Sequence, residues 1–155
     1  MGRLVPRLMI KQIASISSDV QRWSRENAKE SRKPFKELIN KLVTLAPSSA
    51  VVIPKHGDPD IARVVTRGKP LSTVGLRKTA GQSNQCHANS ALLYKTKRLD
   101  AICTGYALAP DGGWRSHTWG IKDKHLVETT QGGYTMYFGV VLTKAECKEF
   151  VEDNL

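Results

Sequence analysis

The last third of the chain is cut into short apolar runs by tight turns, and this constrains the fold more than any other feature. Ala101 to Leu108 reads as a strand and ends at the turn Pro110-Asp111-Gly112-Gly113. Arg115 to Ile121 follows, then the corner Lys122-Asp123-Lys124, then Leu126 to Thr129, and finally Tyr134 to Leu142. A parallel crossover needs about a dozen residues or more, and these connections are far shorter. The runs are therefore expected to pair as an antiparallel sheet.

What precedes the sheet is helical. Ser17, Ser18 and Asp19 are candidate caps for a mostly polar helix that runs to Arg32. Pro34 suits a first helical position, and Phe35, Leu38, Ile39, Leu42 and Val43 recur at the spacing of a buried stripe. Ala50 to Ile53 reads as a short buried strand, Asp58 as the cap of a helix that Gly68 ends, and residues 68–81 as loop. Thr143 with Glu146 has the spacing of a capping box for a closing helix. The expected fold is α+β: N-terminal helices, then a nucleophile-bearing helix packed on an antiparallel sheet. Residues 1–49 are expected to be a basic helical extension and 50–155 the core, in one continuous domain.

The stretch from Gly81 to Tyr94 places Cys86 where a polar turn becomes an apolar helix. Helix N-terminal N–H groups favour the thiolate, which is the form that attacks an acyl carbon. A thiol nucleophile also needs a base, and the base needs a group that fixes its tautomer. His117, in Arg115-Ser116-His117-Thr118-Trp119, and Glu128, in Leu126-Val127-Glu128-Thr129-Thr130, can serve. They fall on successive strands of one hairpin, which can turn both toward the cysteine helix.

Nucleophile at a helix start, histidine on one strand and acid on the next is an order that resembles the papain-like and transglutaminase-like cysteine enzymes. His117-Thr118-Trp119 and Glu128-Thr129-Thr130 look like the His-x-Trp and acid-x-Thr elements of transglutaminase-like cores. The likeness covers residues 80 to 142. It implies a papain-like/transglutaminase-like core that hydrolyses or transfers an amide, isopeptide or ester acyl group through a thioester, with no metal or cofactor. The usual acid is Asp, and here it is Glu128; His87 stands where Gly or Trp commonly follows the cysteine. Gln82 and Gln85 precede the thiol as a papain-type glutamine does. Gln82 is the favoured oxyanion donor beside the Cys86 backbone N–H. Trp114 and Trp119 flank His117 and are candidate walls of the cleft.

His87 is expected to face elsewhere on the helix in a packing or hydrogen-bonding role, Asn89 reads equally as an ordinary helix residue, and His125 is expected to lie exposed at the corner. Cys103 and Cys147 read as small buried hydrophobes. Zinc would have to draw on Cys86, His87, His117 and His125, and adjacent Cys86 and His87 would diverge.

Charge divides the chain unevenly. The net charge is +10, and residues 1–81 hold 16 lysines and arginines against 6 acids, while the remainder holds 8 of each. That basic half could hold nucleic acid or an acidic protein partner. The alternative function is accordingly a non-enzymatic basic binding module. With three cysteines, no long apolar segment, no leader-like apolar core and Pro6 where a myristoylation motif wants Ser or Thr, the chain is expected to be cytoplasmic, with no membrane partner.

Overall fold

The structure, a computed structural model, describes residues 7–79 and 81–155, with side chains from residue 18 onward. Readings that fall on residues 1–6, Pro6 among them, and on the side chain of Ser17 lie outside the described residues.

Among the described residues, five helices and a mostly antiparallel open sheet make a mixed α+β fold. In chain order the elements are α1 (Arg7–Ala28), α2 (Lys33–Leu45), β1 (Ala50–Val51), α3 (Ile61–Arg67), β2 (Lys69–Leu71), β3 (Arg77–Lys78) and α4 (Cys86–Lys95). Then come β4 (Ala101–Leu108), β5 (Gly113–Lys122), β6 (His125–Glu128), β7 (Met136–Val141) and α5 (Lys144–Asn154). The sheet runs β2-β7-β4-β5-β6-β3, with β1 alongside β5. No helix among the described residues is long and apolar enough to cross a membrane.

Strands β4 to β7 form the antiparallel array expected from their short turns. Side-chain alternation gives this array two faces. Ile102, Tyr106, Trp114, Phe138 and Val140 face one way and pack with Phe35, Leu38 and Leu42 of α2, Val64 of α3 and Cys147 of α5. Helix α2 therefore shares the main core with the sheet. Cys103, Ala107, Trp119, Leu126 and Tyr137 face the other way in a smaller cluster.

Two glycines keep the middle of the sheet thin. Gly105 lies opposite both His117 and Gly139. A Cβ at Gly105 would collide with the Phe138 carbonyl oxygen, and one at Gly139 would come within 2.8 Å of the Trp119 ring. Across β7, β4 and β5, His117 is thus the single side chain in its row on that face.

Helix ends follow their sequence signals unevenly. Thr143 and Glu146 form the reciprocal capping box, and Pro34 stands in the first turn of α2. Ser18 and Asp19 are not caps, because α1 runs unbroken through them; its entry lies some three turns earlier, and tertiary packing of Trp23 overrides the local cap preference. Asp58 does not occupy the N-cap of α3: Asp60 does, and the Asp58 side chain accepts the Asp60 N–H one turn earlier. The segment expected as loop over 68–81 contains β2, antiparallel to β7, and β3, parallel to β6. These strands are made by their partners, since Lys69-Pro70-Leu71 and Arg77-Lys78 carry no alternation of their own.

Candidate functional site

The site lies at a break in strand pairing. One edge of β5 pairs fully with β4, but its other edge is covered by β1 only at Gly113 and Trp114 and by β6 only from Gly120 to Lys122. Residues 115–119 face no strand on that side among the described residues. Helix α4 packs there, with Cys86 as its first residue. Asn84, at φ 60, supplies the left-handed step that turns the chain into the helix, a conformation Asn tolerates better than most residues.

Glu128 sits just past the last residue of β6 that pairs with β5, Val127 opposite Gly120. Its backbone is held from the far side by β3, where Lys78 pairs with Glu128 and Thr79 donates to the Glu128 carbonyl at 3.0 Å. The carboxylate is then free to reach across the break. It lies 2.9 Å from His117 Nε2 through each oxygen. Tyr137 donates its hydroxyl to Oε1 at 2.6 Å, and Thr130 donates its backbone N–H and its hydroxyl to Oε2 at 3.0 and 2.9 Å. The side chains of His117 and Glu128 are 3% and 1% exposed. An ion so buried costs several kcal/mol unless it is fully paired, and here it is paired by four donors. Burial works against its ionisation, yet the hydrogen bond and charge of His117, with Tyr137 and Thr130, outweigh burial and hold the carboxyl below its usual range.

The imidazole of His117 is fixed on all sides. Tyr134 lies over it at 4.5 Å between ring centres, and Trp119 stacks at 6.0 Å. With Nε2 bound to Glu128, Nδ1 is the atom left for the thiol. Burial alone would lower the His117 pKa; the neighbouring Cys86 thiol and the hydrogen bond and charge of Glu128 reverse this and raise it to about 9. For Cys86, burial pushes the thiol up, and hydrogen bonds from His117 and His87 more than reverse it, bringing the thiol to about 6. A thiolate facing an imidazolium is the state these environments favour together near neutral pH.

His87 corrects the sequence reading. Its Nδ1 is 3.4 Å from Cys86 Sγ, and its Nε2 lies 3.5 Å from the Thr118 hydroxyl. The ring stacks on Phe150 of α5 at 5.5 Å and 17°, which folds it back along the first turn of α4. Adjacent helical residues normally diverge; here the ring packs on α5 while its Nδ1 stays beside the thiol. Its pKa is raised, chiefly by the hydrogen bond to Cys86 and against the effect of burial.

Asn89 is likewise more than a helix residue. Its side-chain amide donates to the carbonyls of Gln82 and Thr129 at 2.8 and 3.0 Å, and its oxygen accepts the Gln82 N–H at 3.3 Å. One side chain therefore ties the cysteine helix to the loop before it and to the residue after Glu128. A Cβ at Gly81 would collide with the Thr129 carbonyl oxygen, so the close approach requires glycine there. Tyr134, Tyr137 and Thr130 complete the site. They were not singled out from sequence, and only Thr130, as part of the acid-x-Thr element, carried any signal.

The remaining expected site residues are placed apart. Gln82 and Gln85 line a groove of about 450 Å³ with Ala88, Asn89 and Leu92, which includes neither Cys86 nor His117. Neither glutamine side chain hydrogen-bonds near the thiol among the described residues; positions 85, 88, 89 and 92 share a face of α4 displaced from Cys86. No side chain caps α4, so its first-turn N–H groups, that of Cys86 included, remain as donors. Trp119 is fully buried and backs His117 instead of walling an open cleft. Trp114 lies on the opposite sheet face, three residues from His117, and donates its indole N–H to Ser49 Oγ at 2.8 Å in the main core. His125 is at the far end of β6 beside the Val74 carbonyl. All three cysteines are free, with Cys103 and Cys147 buried. A cavity of about 910 Å³, bordered by Lys95, Lys97, Lys144 and Lys148, lies along α4 and α5 and shares no residue with the Cys86, His117 and Glu128 constellation.

No protein-family model matches the chain, and neither a curated protein nor a solved structure does.

Proposed function

We propose that the protein is a cysteine hydrolase or acyltransferase with a papain-like or transglutaminase-like core, acting on an amide, isopeptide or ester bond. The observation that carries the reading is the buried Glu128 carboxylate bound through both oxygens to His117 Nε2, on the strand against which the uncapped start of α4 sets the Cys86 thiol. A structural ion pair has no need of a half-exposed thiol with a pKa near 6 beside it.

In this mechanism the Cys86 thiolate attacks the acyl carbon, and the carbonyl oxygen becomes an oxyanion facing first-turn N–H groups of α4. As the tetrahedral intermediate collapses, the bond to nitrogen or oxygen breaks and His117 passes its proton from Nδ1 to the leaving group. The acyl group is left as a thioester on Cys86. Neutral His117 then takes a proton from water, or from an acceptor amine, which attacks the thioester and releases the thiol. Glu128 remains ionised throughout and keeps the proton of His117 on Nε2 between transfers.

The test is a burst experiment with p-nitrophenyl acetate. One equivalent of nitrophenol is expected at once, with the acetyl group on Cys86 and removable by hydroxylamine. A Cys86→Ala protein that gives the same burst would overturn the proposal.

A further inference from the structure

A second cavity, of about 200 Å³, lies on the face of β5 away from Glu128 and reaches the thiol's neighbour His87, whose Nδ1 is 3.4 Å from Cys86 Sγ. Its lining includes Asp58, Asp60, His87, Thr104, Ser116 and Thr118, and the backbone of β5 at His117 also borders it. Both histidines that hold Cys86 therefore border this space.

The chemistry of the lining is lopsided. Two carboxylates meet there, and their compensation is partial. Asp58 accepts the Tyr106 hydroxyl at 2.9 Å, a neutral donor. Asp60 has Arg63 at 3.7 Å, but the Arg63 Nε is engaged more closely, at 3.1 Å, by Glu146. The Asp60 carboxyl is raised by burial and then by the negative charge of Asp58, and the charges of Arg63 and His87 offset this only in part. Thr104 adds an independent sign. It is 3% exposed, shares the sheet face of Tyr106 and Thr118, and its hydroxyl has no hydrogen-bond partner. An unpartnered buried hydroxyl costs about 1–3 kcal/mol in a finished structure, and a ligand donor or acceptor would offset it.

The geometry points to this cavity as the subsite for an alkylammonium group carried by the substrate within a few bonds of the acyl carbon. This rests on the thiol chemistry proposed above. An ammonium has three N–H donors and no acceptor, which suits two carboxylates and a hydroxyl oxygen. A space of about 200 Å³ has room for roughly six non-hydrogen atoms, enough for an aminoalkyl arm and too little for a peptide segment. A carboxylate or phosphate there would meet Asp58 and Asp60 as like charges.

The test uses three thiol-specific methanethiosulfonates that deliver a methyl, an aminoethyl or a sulfonatoethyl group to Cys86 in the full-length protein. Each rate is divided by that of the same reagent with 2-mercaptoethanol, which removes intrinsic reactivity. The aminoethyl reagent is expected to exceed the methyl one by about tenfold at Cys86, with the sulfonate slower than both. In Asp58→Asn/Asp60→Asn that aminoethyl-to-methyl ratio is expected to fall to near one; Asn keeps an acceptor for Tyr106, and circular dichroism reports folding. A wild-type ratio near one, or a ratio that persists in the double variant, overturns the subsite. The methyl reagent's pH profile separates the two proposals. A half-rise at an ordinary thiol pKa defeats the thiol chemistry itself, whereas a half-rise near 6 with no cation preference defeats only the subsite.

Discussion

Replacing Glu128 with Gln tests the electrostatic logic of the site most directly, because it keeps the shape and removes only the charge. His117 Nε2 now donates to the carboxylate at 2.9 Å with both side chains out of contact with water. A hydrogen bond to a charged group contributes about 1.5–3 kcal/mol, and one pKa unit corresponds to about 1.4 kcal/mol. The imidazole should therefore fall by roughly one to two units from its value of about 9. The amide also offers a donor where the carboxylate offered only acceptors. His117 can satisfy that donor by accepting at Nε2, which moves its own proton to Nδ1 and leaves no lone pair facing the thiol. Cys86 loses much of the positive charge that depresses its pKa, so its half-rise should move up from about 6 by about one unit or more. The assay is the rate of Cys86 alkylation by iodoacetamide against pH, read by mass spectrometry so that Cys103 and Cys147 are scored separately. In the same variant the acetyl-enzyme burst should slow by about a thousandfold or more. A Glu128→Gln profile that overlays the wild type would refute the claim that the carboxylate acts through His117.

Three further outcomes are expected. His87→Ala should raise the Cys86 half-rise, but by less than His117→Ala does, since His117 has the larger influence on the thiol; paired alkylation titrations decide the order. Trp114→Phe should lower stability by about 1–3 kcal/mol in urea unfolding, because it removes the indole N–H that Ser49 Oγ accepts, leaving that hydroxyl only its bond to the Ala46 carbonyl, and opens space in the main core; it should leave the Cys86 profile unchanged because the ring is on the other sheet face. Gly105→Ala should destabilise by about 1–3 kcal/mol or more, measured the same way, since its Cβ meets the carbonyl of Phe138 at the centre of the sheet.

Local chemistry wrote much of this chain's structure into its sequence. The antiparallel order of β4 to β7 follows from turns too short for any other connection, and the start of α4 at Cys86 follows from the switch between polar turn and apolar helix. The capping box at Thr143 and Glu146 is legible because both partners are three residues apart. Cys86, His117 and Glu128 could be named because their residue types and order match a known chemistry. Their meeting could not. It depends on the interval of β5 that no strand among the described residues covers, between the last pairing of β1 and the first of β6. The two short strands in residues 68–81 were invisible because Lys69-Pro70-Leu71 and Arg77-Lys78 become strands only against β7 and β6. His87, beside the thiol, stacks on Phe150 more than sixty residues away, and the clamp by Asn89 uses the carbonyl of Thr129, forty residues away. Trp114 and Trp119 look equivalent beside His117 in sequence, yet odd spacing sends one to the main core and even spacing keeps the other against the imidazole. Periodicity, capping and turn length act over a few bonds and can be read from residues alone, whereas the pKa values of Cys86, His117 and Glu128 are set by burial and by charges that only the folded chain brings together.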